Sequence, residues 1–512
     1  MRFNIFTKIV FVVLTVIMLA SSVALACTGV YVGKEVSADG SVMIARTEDI
    51  ASANSKRFIV HPAADHEEGE CYTDVFKMSV PYPAHTYRYT ATPASQYRGI
   101  GNTPYGAAGF NELGVAATST ITAYPNEKAI TADPFVKTGL HELSANDIIL
   151  SRATSARHGI EIIAEIVDKY GSGEGNIIMT ADENEAWYME IYTGHQYAAI
   201  KLPDDMAAVI PNAYMLGEID VDSSDVIVSK DLVELAQKNQ FLEKTNGKIN
   251  LRLTYSVPNK DTNSIRIWGG QRLLHGTVGE DPYKTEHTLL FKPSKKITVK
   301  EVMDVTRTRY ENTKYCLDIP GNKYIRAIST ARQEECHILQ IRPDLPQETA
   351  CVMWLCLGNA EFAPYLPYYA SAITQTPEIC THDTPGYSES SMYWANRSLS
   401  TISALNRMLY GNNIKEFYSE YEKALIENMP VLDAQMAESI TKSHTANVIC
   451  RNVAYDGFNK SKALYAELIE FIALYEGEDE TKGNNPTFEI KLKPVVEPIP
   501  AYAVSSQTTI TE

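Results

Sequence analysis

The stretch Ala24-Leu25-Ala26-Cys27-Thr28-Gly29-Val30-Tyr31-Val32, followed after a turn by Ser41-Val42-Met43-Ile44-Ala45-Arg46-Thr47-Glu48-Asp49, is the part of the chain from which the rest can be read. Residues 28–32 form a short β-like run, residues 33–40 are turn-rich and end in Asp39-Gly40, and residues 41–46 form a second apolar run. This pattern predicts a hairpin. Antiparallel pairing keeps the sum of paired residue numbers constant, so a turn centred near Ser37 sets Cys27 against the region of Arg46 to Asp49. A guanidinium there favours a thiolate, and a carboxylate there can hold an α-amine. The bland reading of the same Arg-x-x-Asp is a surface ion pair flanking a hairpin.

The residues before Cys27 give it a chemical meaning. Arg2 and Lys8 flank an apolar run from Ile9 to Ala20, and Ala24 and Ala26 place small residues three and one positions before a cut. That is a signal peptide over residues 1–26. The run is shorter than the roughly 20 apolar residues that span a bilayer, and no comparable run follows. The expectation is a secreted or periplasmic protein with no stable membrane span after processing. Cleavage would make Cys27 the first residue, carrying a thiol and an α-amine whose reference pKa of about 7.7–8.0 suits it to act as a base. Three readings stay open for it: a nucleophile that carries its own base, the lipidated cysteine of a non-enzymatic anchored binding protein, and coincidence. A lipobox normally has Leu three residues before the cysteine, where this chain has Ala24, with Leu25 one place later. That order suits ordinary signal-peptidase cleavage better.

Composition narrows the partners. The chain has 512 residues, 46 Lys+Arg against 63 Asp+Glu and a formal charge of −17. With no Lys/Arg-rich run, nucleic acid is a poor partner. Thirty Tyr, 14 Phe and 4 Trp supply a substantial core. Cys351 and Cys356 lie in an apolar, strand-like segment with the wrong spacing for zinc, which reads as buried thiols or one half of a disulfide. Setting Cys27 aside leaves seven of the eight cysteines, so at least one is unpaired. There is no His-Glu-x-x-His, and the glycine-rich residues 171–175 lack a phosphate-loop lysine. Neither a metal nor an organic cofactor is expected.

Along the remainder, residues 146–170 have helical spacing and read as two helices, with Ser144 or Asn146 as N-cap and Gly171 closing the end. Residues 176–180, 186–191, 197–201 and 207–210 read as a β-meander, and 299–310 as a further helix. From Ser390 to Tyr475 the apolar spacing is helical, residues 477–485 form a linker, and residues 494–512 are a loose tail. His337 reads as a hydrogen-bonded structural histidine, and residues 364–369 as edge packing on the core. Periodicity alone supports an α+β fold.

Several motifs together resemble peptidase family C69, the dipeptidase A type. They are Cys27-Thr28, Asp39-Gly40-Ser41 and Ile44-Ala45-Arg46-x-x-Asp49; Gly109-Phe110-Asn111-Glu112-x-Gly114; Ala181-Asp182-Glu183-Asn184-Glu185-Ala186-Trp187; Ile210-Pro211-Asn212; and Glu335-x-His337-x-x-Gln340-x-Arg342-Pro343 with Trp354-x-x-Leu357-Gly358. The chain is similar, more distantly, to the choloylglycine hydrolase and penicillin V acylase group. The resemblance covers roughly residues 27–470 and implies a four-layer αββα N-terminal nucleophile hydrolase sandwich over 27–385, with a mostly helical region over 386–476 packed on it and a linker and tail over 477–512. It implies an exported cysteine dipeptidase acting on small peptides, with an acylase-type amidohydrolase as the alternative and homo-oligomerisation left open. Carried over by residue, Cys27 is nucleophile and base, Arg46 and Asp49 position it, Asn212 contacts substrate or amine, and Arg266 is a further active-site arginine. The acylases' oxyanion-hole Asn has no counterpart, because the corresponding stretch reads Thr118-Ser119-Thr120-Ile121. Donors near residues 118–120, a hydroxyl or Asn212 must then serve.

Overall fold

The computed structural model describes residues 27–50, 55–95, 106–119, 121–283, 287–384, 386–475 and 488–499. The expected leader and Thr120 therefore lie outside the described residues. In chain order the strands of the two principal sheets are β1 (Thr28–Val32), β2 (Val42–Asp49), β3 (Ala108–Phe110), β4 (Ala116–Ser119), β5 (Asn176–Ala181), β6 (Ala186–Ile191), β7 (Tyr197–Leu202), β8 (Ala207–Ile210), β9 (Val226–Val228), β10 (Leu290–Phe291), β11 (Gln333–Ile341), β12 (Cys351–Cys356) and β13 (Leu366–Tyr369). The helices used below are α1 (Glu142–Arg152), α2 (Ala156–Tyr170), α3 (Asp261–Leu273), α4 (Val299–Arg307), α5 (Met392–Ser403), α6 (Asn412–Glu438) and α7 (Lys442–Tyr475).

Seven strands form one antiparallel sheet in the order β10-β8-β1-β2-β11-β12-β13, and six form a second in the order β9-β7-β6-β5-β4-β3. The sheets stack face to face, with α1 and α2 on the outer face of the second and α3 and α4 on the outer face of the first. This is an α+β protein with a four-layer αββα arrangement, the architecture that the resemblance implies. All eight residues of β2 are buried, as a strand covered on both faces requires. The sheets approach so closely that a Cβ on Gly29 would lie 2.6 Å from Ile121 Cδ1 and 3.1 Å from Met179 Cε.

The β1–β2 hairpin has the expected register: Thr28 pairs with Thr47 and Gly29 with Arg46. Its turn is built by Asp39, whose Oδ1 accepts from Ser37 Oγ at 2.8 Å and from the Ser41 N–H at 3.1 Å, with Gly40 at φ +76°. The expected meander differs in its last member. Residues 176–202 form three neighbouring strands of the second sheet, whereas β8 crosses to the first sheet and pairs with β1, Gly29 opposite Ile210. A short apolar run carries no record of which sheet it joins.

The two expected helices are present, but neither expected cap serves. Ser144 and Asn146 lie inside α1 and are buried, because tertiary partners take their side chains: Ser144 Oγ donates to Asp74 at 2.7 Å and Asn146 donates to the carbonyl of Ala107. Ser155 caps α2 by accepting from the His158 N–H, and Gly171 closes that helix at φ +75°. A Thr298/Glu301 capping box opens α4, which ends at Arg307 rather than 310. Helices α6 and α7 cover the edge strand β13, α5 and α6 each pack on α7, and a buried two-pronged ion pair from Arg307 to Glu422, at 2.6 and 2.8 Å, ties α4 to α6. Residues 488–499 depart from the loose-tail expectation. Phe488 is buried, and the Lys491 and Leu492 N–H groups donate to Glu467 of α7.

The Asn-Glu-x-Gly turn between β3 and β4 shows why its residues are needed. Asn111 Oδ1 accepts from the N–H groups of Leu113 and Val115, its Nδ2 donates to the carbonyls of Leu150 and Ala153, and Gly114 adopts φ +83°. Asn111→Ala strips partners from four main-chain groups at a buried position. It should lower unfolding free energy by more than about 2 kcal/mol in urea titration.

Candidate functional site

Register alone surrounds Cys27. Extending the β1–β2 pairing by one residue puts Cys27 opposite Glu48, and extending β1–β8 by two puts it opposite Asn212. Facing residues on paired strands share a side of the sheet, so Cys27, Arg46, Glu48 and Asn212 fall on the side that looks toward the second sheet. The Cys27 thiol is buried and accepts a hydrogen bond from Arg46 Nη1 at 3.3 Å.

Arg46 is fixed by a network sealed between the two sheets. Its Nη2 lies 3.2 Å from Glu48 Oε2 and 3.8 Å from Glu335 Oε1, and Lys56 Nζ reaches Glu48 Oε1 at 2.8 Å. All four side chains are fully buried, and their formal charges cancel. His337, opposite Arg46 on β11, completes the set. Burial pushes its pKa below the ordinary imidazole value, so the neutral ring donates from Nδ1 to Glu335 at 3.0 Å and accepts from Thr118 Oγ1 at 2.8 Å. It is a structural histidine, held at both nitrogens.

A second cluster meets Cys27 from the α3 side. Arg266 Nη1 donates to the Cys27 carbonyl at 2.6 Å, to Thr28 Oγ1 at 3.2 Å and to Asn212 Oδ1 at 3.0 Å. Its Nη2 donates to Asn212 Oδ1 at 3.0 Å and to Asn263 Oδ1 at 2.6 Å. Burial pulls the Arg266 pKa down to about 10, still cationic at neutral pH. Asn212 Nδ2 spends one hydrogen on the Thr122 carbonyl at 3.0 Å, and an amide nitrogen carries two. The Thr118 hydroxyl is taken by His337, whereas Ser119 Oγ and Thr122 Oγ1 are buried without a partner among the described residues.

Asp49 closes the ring. A register shift between Glu48 and Asp49 marks a bulge at the end of β2, where bulges re-aim side chains. The Asp49 main-chain N–H is directed at the Cys27 thiol, and its Oδ2 is bound by Arg326 Nη2. The Thr47 hydroxyl also faces this carboxylate, as a weaker influence than Arg326 or Arg266. Oδ1 itself is buried with no hydrogen-bond partner among the described residues. Arg46, Asp49, Asn212 and Arg266 are thus all gathered around Cys27, the residue just ahead of β1. Arg326, Asn263, Glu48 and Lys56 were not foreseen as members. Glu48 and Lys56 were readable only as surface charges, and Arg326 lies in a loop without a motif.

The electrostatics correct one expectation. Arg46 does favour the thiolate, but burial outweighs it and pushes the Cys27 thiol up to about 12. No standing thiolate is present at neutral pH, so any nucleophilic use of this sulfur requires proton removal during attack. A cavity of about 460 Å³ is lined by Ala213, Met215, Arg252, Asp261, Ser264 and Tyr283 among others; Cys27 is not among its lining residues. Cys351 and Cys356 are buried free thiols.

Comparison with known proteins follows the same lines. The family model described as peptidase family C69 matches residues 26–420. The chain is 33% identical over 471 residues to a "Probable dipeptidase B" of Streptococcus pyogenes serotype M1, covering 88% of this chain and 94% of the relative. It is 36% identical over 364 residues to a "Probable dipeptidase" of Salmonella dublin, covering 69% of this chain and 83% of the relative. Among solved structures, a mutant conjugated bile acid hydrolase from Clostridium perfringens matches with 12% identity and a TM-score of 0.28, over 67% of this chain and 91% of that one.

Removing Arg46 leaves two buried carboxylates opposed by one lysine. Arg46→Met should cost about 3–5 kcal/mol of stability in denaturant titration. It should also slow iodoacetamide labelling of Cys27 near neutral pH, because the guanidinium that donates to the sulfur is gone; unchanged labelling would separate Arg46 from the thiol.

Proposed function

The chain belongs to peptidase family C69, and on that premise we propose that it is an exported cysteine dipeptidase whose nucleophile, Cys27, becomes the first residue when residues 1–26 are removed. The observation that carries this reading is the bare Asp49 Oδ1 beside a cysteine at the start of a central strand. A buried carboxylate oxygen without a donor is costly, and the α-amino group of a processed Cys27 carries N–H donors that can supply one. Before cleavage the Cys27 nitrogen is an amide and accepts no proton. After cleavage it is an amine able to do so near neutral pH.

The chemistry then follows from the thiol's burial. Sulfur held as a neutral thiol attacks the scissile carbonyl as its proton passes to the α-amine, directly or through one water. Asp49 retains the ammonium so formed, and Arg46 stabilises negative charge on sulfur. The carbonyl oxygen becomes an oxyanion, for which the second Asn212 Nδ2 hydrogen is the best-placed side-chain donor, with Arg266 fixing the amide's orientation through Oδ1. Collapse breaks the C–N bond, and the departing amine takes the proton from the α-ammonium. Water then attacks the thioester, gives its proton to the same amine, and releases the acid and the thiol. The similarity to probable dipeptidases supports a dipeptide as the substrate.

The test is hydrolysis of a dipeptide panel beside N-acyl amides. Mature wild type should cleave dipeptides, Cys27→Ser should lose most activity, and Cys27→Ala should lose essentially all. Turnover surviving in Cys27→Ala would overturn the mechanism, and preference for hydrophobic acyl amides would move the protein to the acylase type.

A further inference from the structure

Arg326 and Asp49 form an arrangement that neither the family's motifs nor the register of the sheet requires. Arg326 precedes β11 in a loop, and its guanidinium binds Asp49 at Oδ2, while Oδ1 is buried without a hydrogen-bond partner among the described residues. The loop is held where this contact can form. The Arg326 Nη1 donates to the neighbouring Ala327 carbonyl, and the buried Tyr310 hydroxyl donates to the Arg326 carbonyl at 2.7 Å. Arg326 also lies close enough to Arg266 that the two guanidiniums repel. A second cation beside Arg266 is unfavourable unless an anion compensates it, and Asp49 is that anion.

We propose that Arg326 is a positioning residue for catalysis: by occupying Oδ2 it orients the Asp49 carboxylate so that Oδ1 is left for the α-amine of the processed Cys27. This rests on the N-terminal nucleophile reading above and adds a residue to it. The ionisable groups that face Asp49 are Arg326 and, behind it, Tyr310 from the loops after α4, Arg266 from α3, Cys27 from β1 and Cys336 from β11. Burial pushes the Asp49 carboxyl above its ordinary value, and Arg326 opposes this more strongly than Arg266 does. The two thiols and the phenol are neutral and do not replace it. Without Arg326, Asp49 takes up a proton at a higher pH. A neutral carboxyl no longer holds the ammonium generated in the attack.

The experiment compares mature wild type, R326Q, R326K, D49N and the R326Q/D49N pair, measuring kcat and KM for one dipeptide across the acid and neutral range. R326Q should lose about 100-fold in kcat, the scale of a misplaced catalytic group. Its KM should change little, and its acid limb should move to higher pH. R326K, which keeps the charge but not the planar fork, should recover much of the rate and most of the limb position. The double variant should be no worse than D49N, since Arg326 acts through Asp49. An unmoved acid limb in R326Q, with activity either kept or lost uniformly with pH, overturns the proposal. If thermal unfolding shows that R326Q is not folded, R326K decides alone: a limb displaced partway supports the proposal and an unmoved limb overturns it. Cys27→Ala is run beside them. Residual turnover there sinks the nucleophile reading itself, whereas its inactivity with an unmoved R326Q limb sinks only the role of Arg326.

Discussion

Antiparallel pairing of β1 with strands on both sides is the constraint from which the site follows. Cys27 stands one residue before a five-residue central strand, and the two neighbouring registers fix what lies opposite it: Glu48 beyond Arg46 on β2, and Asn212 beyond Ile210 on β8. A one-residue slip on either side would turn Arg46 or Asn212 to the opposite face of the sheet. The polar network between the sheets makes such a slip expensive, because Arg46, Glu48, Lys56 and Glu335 are fully buried and tolerable only as a matched set. The hairpin's register and the charge network therefore specify each other.

Burial has a second consequence, for reactivity. A cysteine at the mouth of an open cleft beside an arginine would be a standing thiolate. Cys27 is sealed from water, its thiol is pushed up to about 12, and Arg46 offsets only part of that. Such a sulfur needs a base within reach, and the described residues place no free imidazole against it. His337 is committed at both nitrogens, and Asp49 offers the thiol its main-chain N–H rather than its carboxylate. An α-amine on the same residue fits this environment. On the proposed reading it brings the base with the nucleophile, and removal of residues 1–26 would be the activating step.

Much of this was legible in the sequence, and the reasons differ by residue. The hairpin and the placement of Arg46 and Asp49 near Cys27 rest on local apolar alternation and one Asp-Gly turn, which determine register without distant information. Gly171 was equally local, whereas the Asn111 motif came from resemblance. Asn212 and Arg266 came from resemblance alone, and their convergence depends on β8 crossing between sheets, which a four-residue apolar run does not encode. Ser144 and Asn146 were misread as caps because their partners, Asp74 and Ala107, are remote in sequence. Burial of the thiol, the Glu48–Lys56 pair and the Arg326 contact are likewise products of tertiary packing. The composition pattern around each of those residues is that of an ordinary solvated charge.

The central claim concerns one atom, the nitrogen of Cys27. Intact mass and N-terminal sequencing of the protein recovered from cells that export it, with dipeptide hydrolysis followed as the processed form accumulates, test that claim most directly. The account predicts a start at Cys27 with an unmodified amine and activity that rises with that species. Full activity in protein that retains residue 26, begins elsewhere, or carries a blocked nitrogen would contradict it.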